Sequence, residues 1–222
     1  MSKYLILFCL FFYISSKYEK NGIDVSYHQG GNVDFNKVKN EGKKDFVIIR
    51  AGYGQNTEDK QFQNNYKKAR NAGLNIGAYW YCYAHSASES SKEADKCLSV
   101  ISGKKFEYPI YYDIEETNIL TLGTNVVSEM AETFCNKLEK KGYFCGLYSS
   151  KCHFESFFSN KVKSAYTIWV AQYYNQCTYK GKYKIWQHSS KGRVSGISGN
   201  VDLDISYEDF PSIIKNKKLN NY

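Results

Sequence analysis

From Gly22 onward, short apolar runs recur along the chain, separated by stretches of mixed polarity. Eight of them read as strands: residues 23–26, 46–51, 75–84, 108–115, 143–149, 166–173, 183–188 and 201–205. Most are rich in Val, Ile, Tyr and Trp and are bounded by Gly, Asn or Ser, which favour turns. The intervals carry a different period. Phe62, Tyr66 and Ala69 recur at helical spacing until Gly73 stops the pattern. Ala94, Cys97, Leu98 and Ile101 do the same ahead of Gly103. Thr124 is placed to cap a helix carrying Val127, Met130, Phe134 and Leu138, with Gly142 at its end. Shorter helices are expected near residues 35–38 and 154–158.

The intervals after Tyr173 and His188 are rich in Gly, Lys and Ser and lack helical period. Strands that alternate with helices lie parallel, and eight strands favour closure. The predicted fold is therefore α/β: an irregular (β/α) TIM-like barrel of five β/α units followed by three strands joined by loops or hairpins. Such a barrel makes the first and last strands neighbours. Residues 17–222 form a single barrel domain in this reading.

The N-terminus changes the picture of where the protein goes. Lys3 precedes an apolar stretch from Tyr4 to Ile14, and Ser15, Ser16 and Lys17 follow. That order describes a secretory signal peptide over residues 1–16, too short for a membrane span of about 20 residues. The mature chain then has no membrane span, and its destination is the outside of the cell or the lumen of a lysosome- or phagosome-like compartment. Six cysteines remain after cleavage: Cys82, Cys97, Cys135, Cys145, Cys152 and Cys177. An even count in an exported chain predicts three disulfides, with neighbours paired as 82 with 97, 135 with 145 and 152 with 177. There is neither a Cys-x-x-Cys motif nor paired His spacing, so no metal site and no cofactor are expected. His28, His85, His153 and His188 are expected to be structural or at the surface.

The net charge is +8, with basic residues scattered singly and in pairs. No run resembles a nucleic-acid-binding arm, so the charge reads first as a plain solvated basic surface, and alternatively as attraction to a polyanion such as a bacterial wall or membrane surface.

The candidate chemistry lies in acids at strand ends. In Tyr111-Tyr112-Asp113-Ile114-Glu115, alternation puts Asp113 and Glu115 on one side, with Cα atoms about 6.5–7 Å apart. Two carboxylates held close repel, so one keeps its proton to higher pH, as a general acid must. Asp24 and Asp202 also interrupt apolar strands, and an unpaired buried charge is costly. Neighbouring first and last strands would gather Asp24, Asp113, Glu115 and Asp202 at one rim. Asp204 shares the strand of Asp202, and the sequence leaves open which of the two takes the role. Glu116 follows Glu115 directly, so that assignment rests on register.

Several motifs together resemble the glycoside hydrolase family 25 lysozymes, N-acetylmuramidases of the Chalaropsis type. They are Gly22-Ile23-Asp24-Val25-Ser26, Arg50-Ala51-Gly52-Tyr53-Gly54, Gly77-Ala78-Tyr79, Asp113-Ile114-Glu115, Trp169-Val170-Ala171, Trp186-Gln187 and Val201-Asp202. They occur in the family's order and span residues 22 to about 210. The resemblance implies cleavage of the β-1,4 bond between N-acetylmuramic acid and N-acetylglucosamine in bacterial peptidoglycan. It implies Glu115 as general acid/base and Asp113 as the residue that orients the acetamido group or stabilises the cationic intermediate. It makes Asp24 and Asp202 supporting acids. The chain departs from the family in Tyr79-Trp80-Tyr81-Cys82 and in Trp186-Gln187-His188, neither of which touches the acids. Six cysteines exceed the bacterial habit and fit a secreted eukaryotic relative.

Tyr79, Tyr81, Trp169 and Tyr173 lie at predicted strand ends and are the candidate sugar-binding residues, since aromatic faces stack on sugar rings. No amphipathic helix lacks a core role, so a monomer is expected. Two rival readings remain. A chitinase-like hydrolase would carry Asp-x-x-Asp-x-Asp-x-Glu at this strand, but Tyr108 and Tyr111 stand at the upstream Asp positions. An inactive sugar-binding protein on the same scaffold would need the aromatics but not the paired carboxyls.

Overall fold

The apolar runs become strands of one closed sheet. The computed structural model describes residues 18–222, so the expected signal peptide at 1–16 lies outside the described residues. In chain order the strands are β1 (Lys20–Val25), β2 (Phe46–Tyr53), β3 (Thr57–Glu58), β4 (Asn75–Tyr81), β5 (Ile110–Asp113), β6 (Cys145–Ser150), β7 (Thr167–Ala171), β8 (Ile185–Gly192) and β9 (Val201–Ser206). The helices are α1 (Phe35–Asn40), α2 (Phe62–Asn71), α3 (Ala87–Ile101), α4 (Thr117–Leu120), α5 (Thr124–Glu139), α6 (Lys151–Phe157), α7 (Asn160–Ala165) and α8 (Phe210–Asn216).

Around the barrel the order is β1, β9, β8, β7, β6, β5, β4, β2, and pairing of β1 with β2 closes it. The seven strands other than β9 run parallel. The last strand, β9, is antiparallel to both β8 and β1. The first and last strands are thus neighbours, as expected. β8 follows β7 through residues 172–184 without a helix, and β8 and β9 form a hairpin arm. The two-residue β3, the helices α4, α7 and α8, and the reversal of β9 are additions to the sequence reading.

One helix end differs from the sequence reading and another agrees with it. Gly123, at φ +96°, precedes α5, and Thr124 is its first helical residue with no capping bond from its side chain. Gly73 ends α2 as expected, at φ +72°, a conformation that costs glycine little.

The strands separate two apolar layers. Outside, α3 and α5 cover the sheet, with Tyr112 stacked flat on Phe134 at 3.9 Å between ring centres. Inside, Phe46, Ile48, Tyr108, Tyr111, Trp169, Ile185, Phe210 and Ile214 plug the base of the barrel. Each such side chain removed from water contributes about 1.5–3 kcal/mol. Glycine makes this filling possible at Gly22, where a Cβ would lie 2.3 Å from the Phe46 ring. Inward positions change character toward the carboxyl ends: Phe46 and Ile48 give way to Arg50, Tyr111 to Asp113, and Ile185 to Gln187. The filled base therefore supports a polar cup.

The six cysteines of the described residues are unbridged, and of the expected pairs Cys135 and Cys145 meet side chain to side chain. Cys82, Cys97, Cys135 and Cys145 are fully buried between helices and sheet and act as small apolar side chains. The Cys82 thiol turns to the Ala84 carbonyl at 3.9 Å rather than to Cys97. Cys135 and Cys145 each lie 3.8 Å from the Gly146 carbonyl oxygen. Burial pushes these four thiols up, away from the thiolate. Cys152 is exposed on α6 and Cys177 is half-buried in the β7–β8 loop. An even count carries no information about which way each side chain points.

Candidate active site

The carboxyl ends of the parallel strands open into a cavity of about 450 Å³. Each strand delivers inward residues to it, β9 from its beginning because it runs the other way, since successive side chains alternate between faces. β1 supplies Asp24, β2 Arg50, β4 Tyr79 and Tyr81, β6 Tyr148, β7 Trp169, β8 Gln187 and β9 Asp202. β5 ends at Asp113, and Glu115 follows two residues later on the same side. All four expected acids thus line one cavity. Glu116 does not line it; it begins α4, and its Oε1 accepts a 2.7 Å hydrogen bond from the Tyr81 hydroxyl.

Burial dominates the electrostatics. Asp113 is 4% exposed, and its Oδ1 has no hydrogen-bond partner. Loss of water pushes its pKa well above the usual carboxylate range; Glu115 and Glu116 add to this and Arg50 opposes it. Glu115 is also raised, first by burial and then by Glu116 and Asp202, while a Tyr81 hydrogen bond pulls the other way. Two carboxylates in one cup release their protons in separate steps, so a protonated acid persists beside a carboxylate.

A second acid group lies across the barrel. Asp24 on β1 stands in register with Asp202 on β9. Gln187 Nε2 donates to Asp24 Oδ2 at 2.8 Å, and Gln187 Oε1 accepts from the hydroxyls of Tyr148 (2.8 Å) and Tyr173 (3.0 Å). Asp204 sits one inward step below Asp202, fully buried, and its Oδ1 accepts from Trp169 Nε1 at 2.8 Å. Burial raises Asp24 well above its usual range, with Asp204 and Asp202 adding to it, and raises Asp204 to about 8. Asp202 rises as well, by burial. Position separates the two β9 acids: Asp202 faces the cavity, whereas Asp204 lies beneath it.

The four aromatic candidates divide. Tyr79 and Tyr81 line the cavity. Trp169 reaches it but is 1% exposed, hemmed by Tyr79, Tyr111 and Tyr148, so it forms floor and offers no open face to a sugar. Tyr173 is 52% exposed and stands beside the cavity rather than in its wall. Sequence reasoning missed Tyr27, Tyr53, Tyr83 and Tyr148 among the lining residues, and gave no role to Arg50 and Gln187. It placed His28 outside the site, yet His28 lines the cavity. Arg50 and Gln187 carried the signal that exposed Asp24, a polar residue at an inward position of a buried strand.

Among known proteins, the model of the glycosyl hydrolases family 25 matches residues 23–197. An autolytic lysozyme of Clostridium acetobutylicum is 33% identical over 186 residues, which cover 82% of this chain and 54% of that protein. The modular autolysin LytC of Streptococcus pneumoniae, solved with a synthetic peptidoglycan ligand, is similar in structure with a TM-score of 0.77 at 28% identity, over 86% of this chain and 47% of that one. A bacterial lysozyme from Streptomyces coelicolor gives a TM-score of 0.73 at 26% identity, over 83% and 90% of the two chains. The chain thus spans about half the length of the first two relatives.

Proposed function

The chain belongs to glycosyl hydrolase family 25, and from that premise we propose that it is a lysozyme that cleaves the β-1,4 bond between N-acetylmuramic acid and N-acetylglucosamine in bacterial peptidoglycan. The observation that carries this reading is the pair Asp113 and Glu115, both lining one buried cup and both raised by burial. It fits an exported eukaryotic member of the Chalaropsis type, monomeric, acting outside the cell or in a lysosome- or phagosome-like lumen, to kill or digest bacteria. The net charge of +8, one less without Lys3 of the expected signal peptide, favours approach to an anionic wall.

In this reading Glu115, protonated, gives its proton to the glycosidic oxygen as the C1–O bond breaks. The acetamido oxygen of the muramic residue closes on C1 and forms an oxazolinium ion. Asp113, whose Oδ1 is buried and unpartnered, accepts the acetamido N–H and faces the positive charge. Water then adds to C1 as the Glu115 carboxylate takes its proton, restoring the acid with net retention. Asp24 and Asp202 are the supporting acids of the opposite wall.

The test is digestion of purified peptidoglycan, followed by borohydride reduction and mass spectrometry of the fragments. New reducing ends on N-acetylmuramic acid are expected. Glu115→Gln should lose about 10²–10⁴-fold in turnover while still sedimenting with the wall. Ends on N-acetylglucosamine would place the cut at the other bond. A fully active Glu115→Gln would remove Glu115 from the chemistry, and wall binding without fragments from pH 4 to 8 would leave a sugar-binding protein.

A further inference from the structure

Glu115 stands outside the sheet. β5 ends at Asp113, so the chain that joins the two acids through Ile114 lies just past the last strand residue. It is nevertheless held from both sides. The Asp113 carbonyl accepts from the Cys82 N–H at 2.9 Å, and the Ile114 N–H donates to the Tyr148 carbonyl at 3.1 Å. The Ile114 carbonyl accepts from the Ser149 hydroxyl at 2.6 Å. Along β6, Tyr148 faces the cavity, which puts Ser149 on the outer face of the sheet, beside Ile114. Ile114 and Ser149 are both fully buried, so losing this bond would leave a buried carbonyl bare.

Counting protons extends the chain of contacts by one residue. A carbonyl brings no proton to a 2.6 Å contact between oxygens, so the single proton of the Ser149 hydroxyl lies between Ser149 and Ile114. His153 Nδ1 sits 3.1 Å from the same Ser149 oxygen. The hydroxyl has no second proton to give, so the proton in that contact belongs to His153 Nδ1. α6 places the ring: the His153 backbone N–H donates to Ser150 Oγ at 3.3 Å in the first turn, and Phe157 packs beside the imidazole with ring centres 6.3 Å apart. Loss of water pushes the half-buried imidazole below the usual histidine pKa. Its neutral form therefore carries the proton on Nδ1 and leaves Nε2 bare.

We propose that Ser149 and His153 are positioning residues for the Asp113–Glu115 pair: His153 Nδ1–H donates to Ser149, whose hydroxyl donates to the Ile114 carbonyl and fixes the chain between the two acids. The proposal rests on the lysozyme reading above. Neither residue lines the cavity. Their effect reaches the substrate through the backbone. Rotation of the peptide after Ile114 would swing Glu115, while Asp113, inside the strand, stays in place. A displacement of about 1 Å at a reacting group can cost about 10²-fold in rate.

The test has two readouts. NMR that correlates ring protons with ring nitrogens reads the His153 tautomer at pH 8 without turnover, the signal being the one missing from His153→Asn. A protonated Nδ1 and a bare Nε2 are expected. Kinetics on purified peptidoglycan is the second readout. Ser149→Ala should lower kcat about 10–100-fold with KM little changed. Ser149→Thr keeps the hydroxyl and should regain most of that loss. His153→Asn puts an amide N–H near the place of Nδ1–H and should exceed His153→Ala, which leaves the hydroxyl untethered and should fall between wild type and Ser149→Ala. If Ser149→Ala does not fold, as judged by its thermal transition, the tautomer and the order of the two His153 variants carry the test. A ring protonated at Nε2 alone overturns the proposal, as does an unchanged kcat in folded Ser149→Ala, equal kcat in the two His153 variants, or a change confined to KM. Failure of the lysozyme reading looks different: Glu115→Gln would then stay active, or wild type would yield no muramic reducing ends.

Discussion

Asp204→Asn offers a sharp test of the burial argument, because it removes a buried titration while keeping the side chain's size. Asp204 is fully buried beneath the cavity, held by Trp169 Nε1 at 2.8 Å, with its Oδ2 unpartnered. Burial raises its pKa from 3.8 to about 8. The folded state therefore holds a proton that the unfolded chain releases near pH 4. The stability tied to this proton is complete below the unfolded value and is lost as pH rises toward 8, at about 1.4 kcal/mol per pH unit. Between pH 5 and 7 that amounts to about 3 kcal/mol. Asparagine keeps the size and the acceptor for Trp169 and cannot ionise. Urea unfolding of wild type and variant at pH 5, 6 and 7 reads the effect directly. The variant should gain on wild type by about 3 kcal/mol across that range, with equal m-values. Asp204 also raises Asp24, so the variant lowers the Asp24 titration as well, and that share adds to the difference in the same direction. A gap between the two proteins that does not change with pH would refute the raised pKa of Asp204.

Other consequences follow from single contacts. Gln187→Ala takes one partner each from Asp24, Tyr148 and Tyr173, and should cost about 1–3 kcal/mol in stability. It should also lower kcat about tenfold, measured on peptidoglycan beside a denaturation curve; an unchanged kcat would detach the Asp24 side of the cup from catalysis. Thiol labelling of the native protein should reach Cys152 first and leave Cys82, Cys97, Cys135 and Cys145 untouched until denaturant is added. Absence of free thiols even in denaturant would mean that the chain is bridged after all.

The sequence exposed most of the barrel because buried parallel strands must be nearly all apolar. Strands 46–53 and 75–81 carry this signal strongly, and the helical period of 87–101 and 124–139 separates them cleanly from their covers. What stayed hidden was whatever depends on partners distant in the chain. The direction of β9 is fixed by its pairing with β1 and β8, and a six-residue strand reads the same in either direction. α8 plugs the barrel base through Phe210 and Ile214, which are too few to show a period. The same limit shaped the view of the site. Asp24, Asp113, Glu115 and Asp202 were legible because a carboxylate in an apolar strand is costly wherever it points. Arg50 and Gln187 break the same rule on β2 and β8, but their meaning lies in the groups they face, Asp59 and Asp113 for one and Asp24 for the other. Trp169 shows the opposite error. Its position at a strand end promised a sugar platform, while three aromatic neighbours brought by β4, β5 and β6 turn it into floor. A polar residue inside a barrel strand therefore marks the site from sequence alone, whereas its task, and the availability of any ring beside it, is decided by neighbours that only closure of the barrel supplies.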